Sequence, residues 1–354
     1  MGSRADDLPF GTDYNACNEQ RNSFTDLVLV DDLIRQLSKE EDEVPLVAYP
    51  ASERGVTDYE HFTAKSIDNF ITNAAARLTG QGLDSISAED CGEDDSPIIG
   101  LLGPSNFDYV ITMLALSRLG YAVLILSPRL AIAAYESLLE ETECNLLVYA
   151  SQMDSVVDEI GKRRPLNSLH IVPRSEYGRN PTSSSMCPTR HVDVSLGKKT
   201  AYIMHSSGST GLPKCNYVSH ASCLSNFANG HPLKALLTVP LYHMYGHASL
   251  FRAFYQRKTC YMYNASLPLT SSNLTAAIEA VRPGVFLCVP YGLKLIAENQ
   301  KGIDALKTCK VVAFAGSGCP DELGDFLTNE GIKLVGGFGT YVLSTVDTLS
   351  MLIP

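Results

Sequence analysis

The sequence predicts an α/β fold of stacked, mainly parallel sheets, and three observations predict it. From Pro97 onward, short apolar runs alternate with segments of helical spacing, the pattern of β-α-β units. The chain is 354 residues long, 45% hydrophobic and 19% charged, enough to bury a sizeable core as one large or two medium domains. Segments that combine glycine with hydroxyl or imidazole side chains follow directly on predicted strands, where open α/β sheets hold their ligands.

Taken in order, residues 1–23 are polar and aperiodic, and a disordered lead is expected. The run from Phe24 alternates and becomes helical toward Leu37, and Lys39-Glu40-Glu41-Asp42-Glu43 reads as a solvated surface. A strand is expected over 45–49, and Phe62, Ile67, Phe70, Ile71, Ala74 and Leu78 space a helix over 62–78. After an acidic link over 84–96, strands are predicted at 98–102, 122–126 and 145–149, with helices at 107–119 and 130–142. A Pro-, Ser- and Arg-rich surface loop over 178–191 marks a subdomain break near 176–198. Beyond residue 200, strands at 235–240, 259–263, 284–289, 310–315 and 333–335 alternate with helices at 219–229, 248–257, 271–281, 293–307 and 321–328. That alternation predicts a second doubly wound layer, with no repeat at a solenoid period.

Composition excludes several classes of function. With 28 Lys+Arg against 39 Asp+Glu, the net charge of -11 argues against a nucleic-acid partner or an anionic membrane surface, so any phosphate site must be a local pocket. Ten cysteines show no Cys-x-x-Cys pair and no His/Cys grouping at zinc spacing, so they are read as reduced thiols. The start carries no apolar signal segment, and the apolar region 98–127 is interrupted by Asp108, Arg118 and glycines; a cytoplasmic protein without a membrane span is expected. Glycosylation sequons at Asn264 and Asn273 are read as chance.

The most informative stretch is Ile203-Met204-His205-Ser206-Ser207-Gly208-Ser209-Thr210-Gly211-Leu212-Pro213-Lys214. Its glycines allow the backbone to turn with positive φ, its amides and hydroxyls can point at anionic oxygens, and Lys214 supplies a mobile charge. The spacing Gly208-x-x-Gly211-x-x-Lys214 is not that of a Walker loop, and Ser207 replaces the first glycine of a hydrolase elbow. A flexible Ser/Gly connector remains the competing reading on composition alone. Pro213-Lys214 closing the loop and an apolar strand leading into it weigh against that reading.

Residue by residue, 203–214 resembles the loop signature of the AMP-forming acyl-activating superfamily: acyl-CoA ligases, adenylation domains of nonribosomal peptide synthetases, and carboxylic acid reductases. The resemblance implies ATP as a substrate, with Ser206, Ser207, Gly208, Ser209, Thr210, Gly211 and Lys214 holding its phosphates. Pro240-Leu241-Tyr242-His243-Met244-Tyr245-Gly246 matches the next motif, which implies that His243 orients the acyl carboxylate and ATP and that Gly246 borders the acyl site. His247 lies outside the matched role and is taken as pocket lining. Val289 and Gly316 fall in the stretches that resemble the acyl-pocket strand and its glycine turn, and Ser317, Gly318 and Cys319 in the segment that resembles the adenine-facing backbone.

Gly336-Gly337-Phe338-Gly339-Thr340 resembles the motif in which an aromatic ring stacks on adenine, so Phe338, Gly339 and Thr340 join the expected ATP site. Tyr341 and Val342 then stand where that motif has threonine and a magnesium-holding glutamate, so Mg²⁺ is implied while its carboxylate is missing.

The family's fold over 24–340 is its large N-terminal domain, and residues 341–354 do not resemble it. The expectation is a truncated chain. The small C-terminal domain with its catalytic lysine has no counterpart, and codons for Thr340-Tyr341-Val342 can contain an intron-donor sequence, so a retained intron or a wrongly drawn gene boundary is expected. The implied activity is ATP-dependent formation of an acyl-adenylate from a carboxylic acid, in a peptide-synthetase-like or reductase-type protein. The implied partner is a thiol acceptor, either CoA or a phosphopantetheine carrier. The alternative is a catalytically inactive nucleotide-binding fragment.

Overall fold

Two sheets flank a shared layer of helices, and their inner strands are apolar on both sides. The computed structural model describes residues 24, 26–86, 96–179, 193–206 and 211–337. The chain begins with α1 (Val30–Leu37), β1 (Pro45–Pro50), β2 (Tyr59–Thr63) and α2 (Ala64–Gly80). There follow β3 (Ile98–Leu102), α3 (Phe107–Arg118), β4 (Ala122–Leu126), α4 (Ile132–Glu141), β5 (Leu146–Tyr149), α5 (Asp154–Gly161) and β6 (Asn167–His170). The short α6 (Arg174–Tyr177), β7 (Thr200–His205), β8 (Cys215–Ser219), α7 (His220–Phe227), β9 (Ala235–Leu237), α8 (Met244–Tyr255) and β10 (Cys260–Met262) come next. The last elements are α9 (Ser271–Val281), β11 (Val285–Cys288), α10 (Pro290–Ile296), α11 (Gln300–Lys307), β12 (Val311–Phe314), α12 (Asp321–Asn329) and β13 (Leu334–Gly336).

One sheet has six strands in the order β6-β5-β3-β4-β7-β8, the other seven in the order β13-β12-β11-β9-β10-β1-β2. Pairing is parallel except for β7–β8 and β1–β2, each at a sheet edge. The two-residue period of a strand divides its apolar side chains between two cores. Val123, Ile125, Tyr202 and Met204 face the central core, which also takes Leu237 and Leu287 of the other sheet and side chains of α1, α2, α3, α7 and α8. Leu124, Leu126 and Ile203 face outward onto Tyr135, Leu138 and Ile160. Leu236, Phe286 and Cys288 face the opposite way onto Leu274, Ile278 and Leu306. The result is helices, sheet, helices, sheet, helices, in agreement with the expected stacked α/β architecture.

Local chemistry sets the helix ends. Asn106 caps α3 by accepting the Tyr109 N–H at 2.9 Å, and Thr63 caps α2 by accepting from Ser66. The expected helix over 293–307 is two helices, because the Asn299 side chain accepts the Gly302 N–H at 2.9 Å and starts a new one. The helix expected from residue 248 begins at Met244, with His243 as its N-cap residue. The edge strands β2, β6 and β8 escaped the sequence reading; β6 is largely exposed and polar, so no apolar run announces it. Of the loop expected over 178–191, residues 180–191 lie outside the described residues, and β6 and β7 on either side share one sheet.

Inside the central layer, Arg118 donates to Asp31 at 2.8 Å and to the Thr72 hydroxyl at 2.7 Å, and pairs with Asp68, joining α1, α2 and α3. Its side chain is fully buried, so these partners are what make the charge tolerable. The described cysteines, from Cys144 to Cys319, are all free thiols. Asn264 is buried and its amide donates to the carbonyls of Glu53 and Gly55, which leaves no access for a glycan at that sequon.

Candidate active site

The carboxyl ends of the parallel strands of both sheets carry the residues singled out in the sequence. In the six-stranded sheet, β7 ends at His205, paired with Cys215 of β8, so the segment 206–214 is the connection of an antiparallel hairpin. Its base is closed twice: the Ser206 N–H donates to the Lys214 carbonyl at 3.1 Å, and the Lys214 N–H to the Ser206 hydroxyl at 2.9 Å. Gly211 has φ +153° with open space around its α-carbon, and the Lys214 side chain is exposed. Ser207, Gly208, Ser209 and Thr210 lie outside the described residues.

His205 is only 3% exposed, yet both its ring nitrogens are engaged. Nδ1 lies 2.9 Å from the Ser206 carbonyl and Nε2 accepts the Ser127 N–H at 3.1 Å. These partners require the neutral imidazole with its proton on Nδ1. Burial lowers the His205 pKa, against the raising effect of the Ser206 carbonyl, so the neutral form is also the electrostatically favoured one.

In the seven-stranded sheet, the turn after β9 brings Pro240 to His243 toward this hairpin. The Leu241 N–H donates to the Ser105 hydroxyl at 2.8 Å, which ties the turn to the one after β3 in the other sheet. Gly246 makes the turn possible: a β-carbon there would lie 2.2 Å from the Pro240 carbonyl oxygen and 2.7 Å from that of Val239. His243 keeps solvent access, yet surrounding protein crowds it enough that desolvation lowers its pKa, helped by its neighbours His205 and Arg129. Desolvation therefore favours the neutral imidazole of His243, with His205 and Arg129 nearby.

Val289 follows β11, and Gly316, Ser317, Gly318 and Cys319 follow β12, on the same edge. Gly316 has φ +93° and faces Val289, a left-handed turn that a side chain would strain. Ser317 and Gly318 are exposed, while Cys319 is half-buried, and burial followed by Asp321 raises its thiol pKa. The Tyr245 hydroxyl donates to the Ala313 carbonyl at 3.0 Å and fixes α8 against β12. Phe338, Gly339 and Thr340 lie outside the described residues; Gly337, just before them, donates its N–H to the Phe314 carbonyl at 2.7 Å.

His247, expected as pocket lining, is 1% exposed on α8 and borders a small internal cavity with Tyr202, Met204, Cys223 and Met244. Sequence reasoning gave no role to His205, Ser105 or the Ser127-Pro128-Arg129 turn. The last of these follows β4 directly, so the rule that ligands gather after parallel strands could have found it. Among the described residues, no three His, Cys, Asp or Glu side chains gather as metal ligands, and no helix is long and apolar enough to cross a membrane.

Comparison with known proteins gives this arrangement a context. The family model described as AMP-binding enzyme matches residues 35–345. A carboxylic acid reductase of Neurospora crassa is 23% identical over 340 residues, covering 90% of this chain and 31% of that protein. The non-canonical non-ribosomal peptide synthetase ascB of Acremonium egyptiacum is 30% identical over 264 residues, covering 68% of this chain and 23% of the relative. The chain thus spans about a quarter to a third of the length of these relatives. Among solved structures, the inhibitor-bound N-terminal domain of FACL13 from Mycobacterium tuberculosis superposes with a TM-score of 0.73 at 18% identity, covering 89% of this chain and 76% of that one. The N-terminal subdomain of NpsA from Klebsiella oxytoca, in complex with 3-hydroxybenzoyl-AMSN, gives 0.69 at 16% identity, covering 89% and 73%. At these identities the two structures speak for the fold.

Proposed function

The chain belongs to the AMP-binding enzyme family, and from that premise we propose that it activates a carboxylic acid with ATP, forming an acyl-adenylate. The observation that supports this reading is that the 206–214 hairpin and His243 both follow the carboxyl ends of parallel-sheet strands, β7 and β9, whose turns are tied between the sheets by the Leu241–Ser105 bond. In the proposed step a substrate carboxylate oxygen forms a bond to the α-phosphorus of ATP, the bond from that phosphorus to the β-bridging oxygen breaks, and pyrophosphate leaves. The Lys214 ammonium and the Ser206 hydroxyl, whose own proton is still free, hold the leaving phosphates, with Ser207, Gly208, Ser209, Thr210 and Gly211 completing the cradle. A neutral His243 donates its ring N–H to the carboxylate and sets its line of attack; Gly246, Val289 and Gly316 border the acyl group. Ser317, Gly318 and Cys319 line adenine, together with Phe338, Gly339 and Thr340. No general base is needed, since positioning and fixed dipoles carry such a displacement.

Mg²⁺ bound to ATP would supply counter-charge to the phosphates, but Val342 stands where the motif has its carboxylate and no group of three acidic, His or Cys side chains gathers among the described residues, so this chain's own part falls to Lys214 and the hydroxyls of the cradle. The acyl group passes on to a thiol, of CoA or of a carrier, as the reductase and peptide-synthetase relatives suggest. A second reading, nucleotide binding without turnover, is favoured by Tyr341-Val342 in place of the expected Thr-Glu.

Carboxylate-dependent pyrophosphate release with ATP and Mg²⁺ separates the two. Release above the no-acid control supports adenylation; ATP binding by a folded chain with no release across a broad acid panel leaves the second reading. Lys214→Ala is expected to weaken ATP binding roughly tenfold, about what the loss of one charge-assisted contact costs. Unchanged affinity would remove Lys214 from the phosphate site.

A further inference from the structure

We propose that His205 is a positioning residue for the hairpin: its ring ties the turn after β4 to the Ser206 carbonyl and holds the Ser206–Lys214 pair ready for the phosphates of a nucleotide. This rests on the proposed ATP reading. The connection can be followed atom by atom. The Tyr135 hydroxyl, on α4, donates to the Ser127 carbonyl at 2.7 Å; the Ser127 N–H donates to His205 Nε2 at 3.1 Å; and His205 Nδ1 meets the Ser206 carbonyl at 2.9 Å. Ser206 then closes the hairpin base through both its N–H and its hydroxyl to Lys214. Tyr135 is fully buried and its helix packs on the outer core, so the far end of this chain of bonds is rigid.

The chemistry suits positioning. A neutral imidazole that donates from one nitrogen and accepts at the other has spent its hydrogen-bonding capacity on the scaffold. With its carbonyl held by the imidazole, Ser206 presents its N–H and hydroxyl to the Lys214 backbone, and the lysine side chain is left exposed. Preorganised donors cost less reorganisation when an anion arrives.

The test compares dissociation constants for ATP and AMP, by calorimetry on the whole chain, with urea midpoints recorded alongside. The β- and γ-phosphates distinguish the two nucleotides, so a displaced hairpin weakens ATP selectively, whereas general loss of structure weakens both. His205→Leu is expected to weaken ATP roughly tenfold and AMP by less than about twofold, the scale of one or two lost hydrogen bonds. His205→Asn, whose amide nitrogen stands where Nδ1 stood, is expected to recover most of the ATP affinity. Unchanged ATP affinity in His205→Leu overturns the inference, as does a parallel loss of ATP, AMP and stability in both variants. If the leucine variant does not fold, His205→Asn against His205→Gln decides: Asn keeps the bond to Ser206 and should bind ATP more tightly than Gln, and equal affinities overturn the role. A native chain that binds no ATP removes the nucleotide reading itself, whereas native binding that survives His205→Leu removes only the role of His205.

Discussion

Three histidines show how burial and partners decide the role of one residue type. His205 is buried with both nitrogens paired, His243 keeps access to solvent, and His247 is 1% exposed with neither ring nitrogen paired among the described residues. His247 packs against Tyr202, Phe227 and Phe251, with ring centroids at 4.4, 6.0 and 4.8 Å, and desolvation pushes its pKa down to about 3. Above the ordinary value of 6.5 the folded and unfolded states are both neutral at this site. As pH falls below it, the unfolded chain takes up a proton that the folded chain refuses, so stability is lost between about 6.5 and 3. His247→Phe should therefore hold its urea midpoint at pH 7 and lose stability less steeply than the parent on acidification; equal slopes would show that the site does not titrate. With its pKa lowered, His243 should shift any inflection in the pyrophosphate-release profile to below the ordinary 6.5, and His243→Ala should lower kcat/KM by roughly 10- to 100-fold through lost positioning. The motif around His243 was legible in the sequence, but not its neutrality, because His205 and Arg129 lie far from it along the chain.

At the scale of elements, the turn from β9 into α8 carries the most geometry per residue. Gly246→Ala would drive a β-carbon to within 2.2 Å of a backbone oxygen, which neither a rotamer change nor a flexible neighbour can relieve. A loss of about 2–3 kcal/mol or more is expected in urea unfolding, together with weaker carboxylate-dependent turnover as His243 is displaced. A stable variant with native kinetics would mean that the turn tolerates another path. Strand positions were the most legible elements, since Ile98–Leu102 and Ala122–Leu126 are apolar throughout and both faces are buried. The N-cap of α8 was not, because Met244-Tyr245-Gly246 has weak helical character on its own and depends on the Ser105–Leu241 and Tyr245–Ala313 bonds.

Among the described residues, the Arg118 cluster joins three helices of the central layer, and the core they share packs against both sheets. Arg118→Met should cost about 3–5 kcal/mol, because Asp31 and Asp68 would keep their charges without the guanidinium, and adding Asp31→Asn should recover part of the loss. Urea denaturation measures both; a single-variant loss below about 1 kcal/mol would mean that water or Arg35 compensates. The seven-stranded sheet takes β1 and β2 from the start of the chain and the rest from residues beyond 234, with the six-stranded sheet threaded between them. That closure decides which strand ends meet. The sequence by itself determined the alternation of strands and helices and the composition of the 203–214 and 240–246 segments, because apolar periodicity and glycine spacing are local properties. Only the tertiary structure decided that His205 bonds Ser127, that His205 and Arg129 lie near His243 and that Ser105 joins the two sheets, because packing brings together segments that are in some cases a hundred or more residues apart.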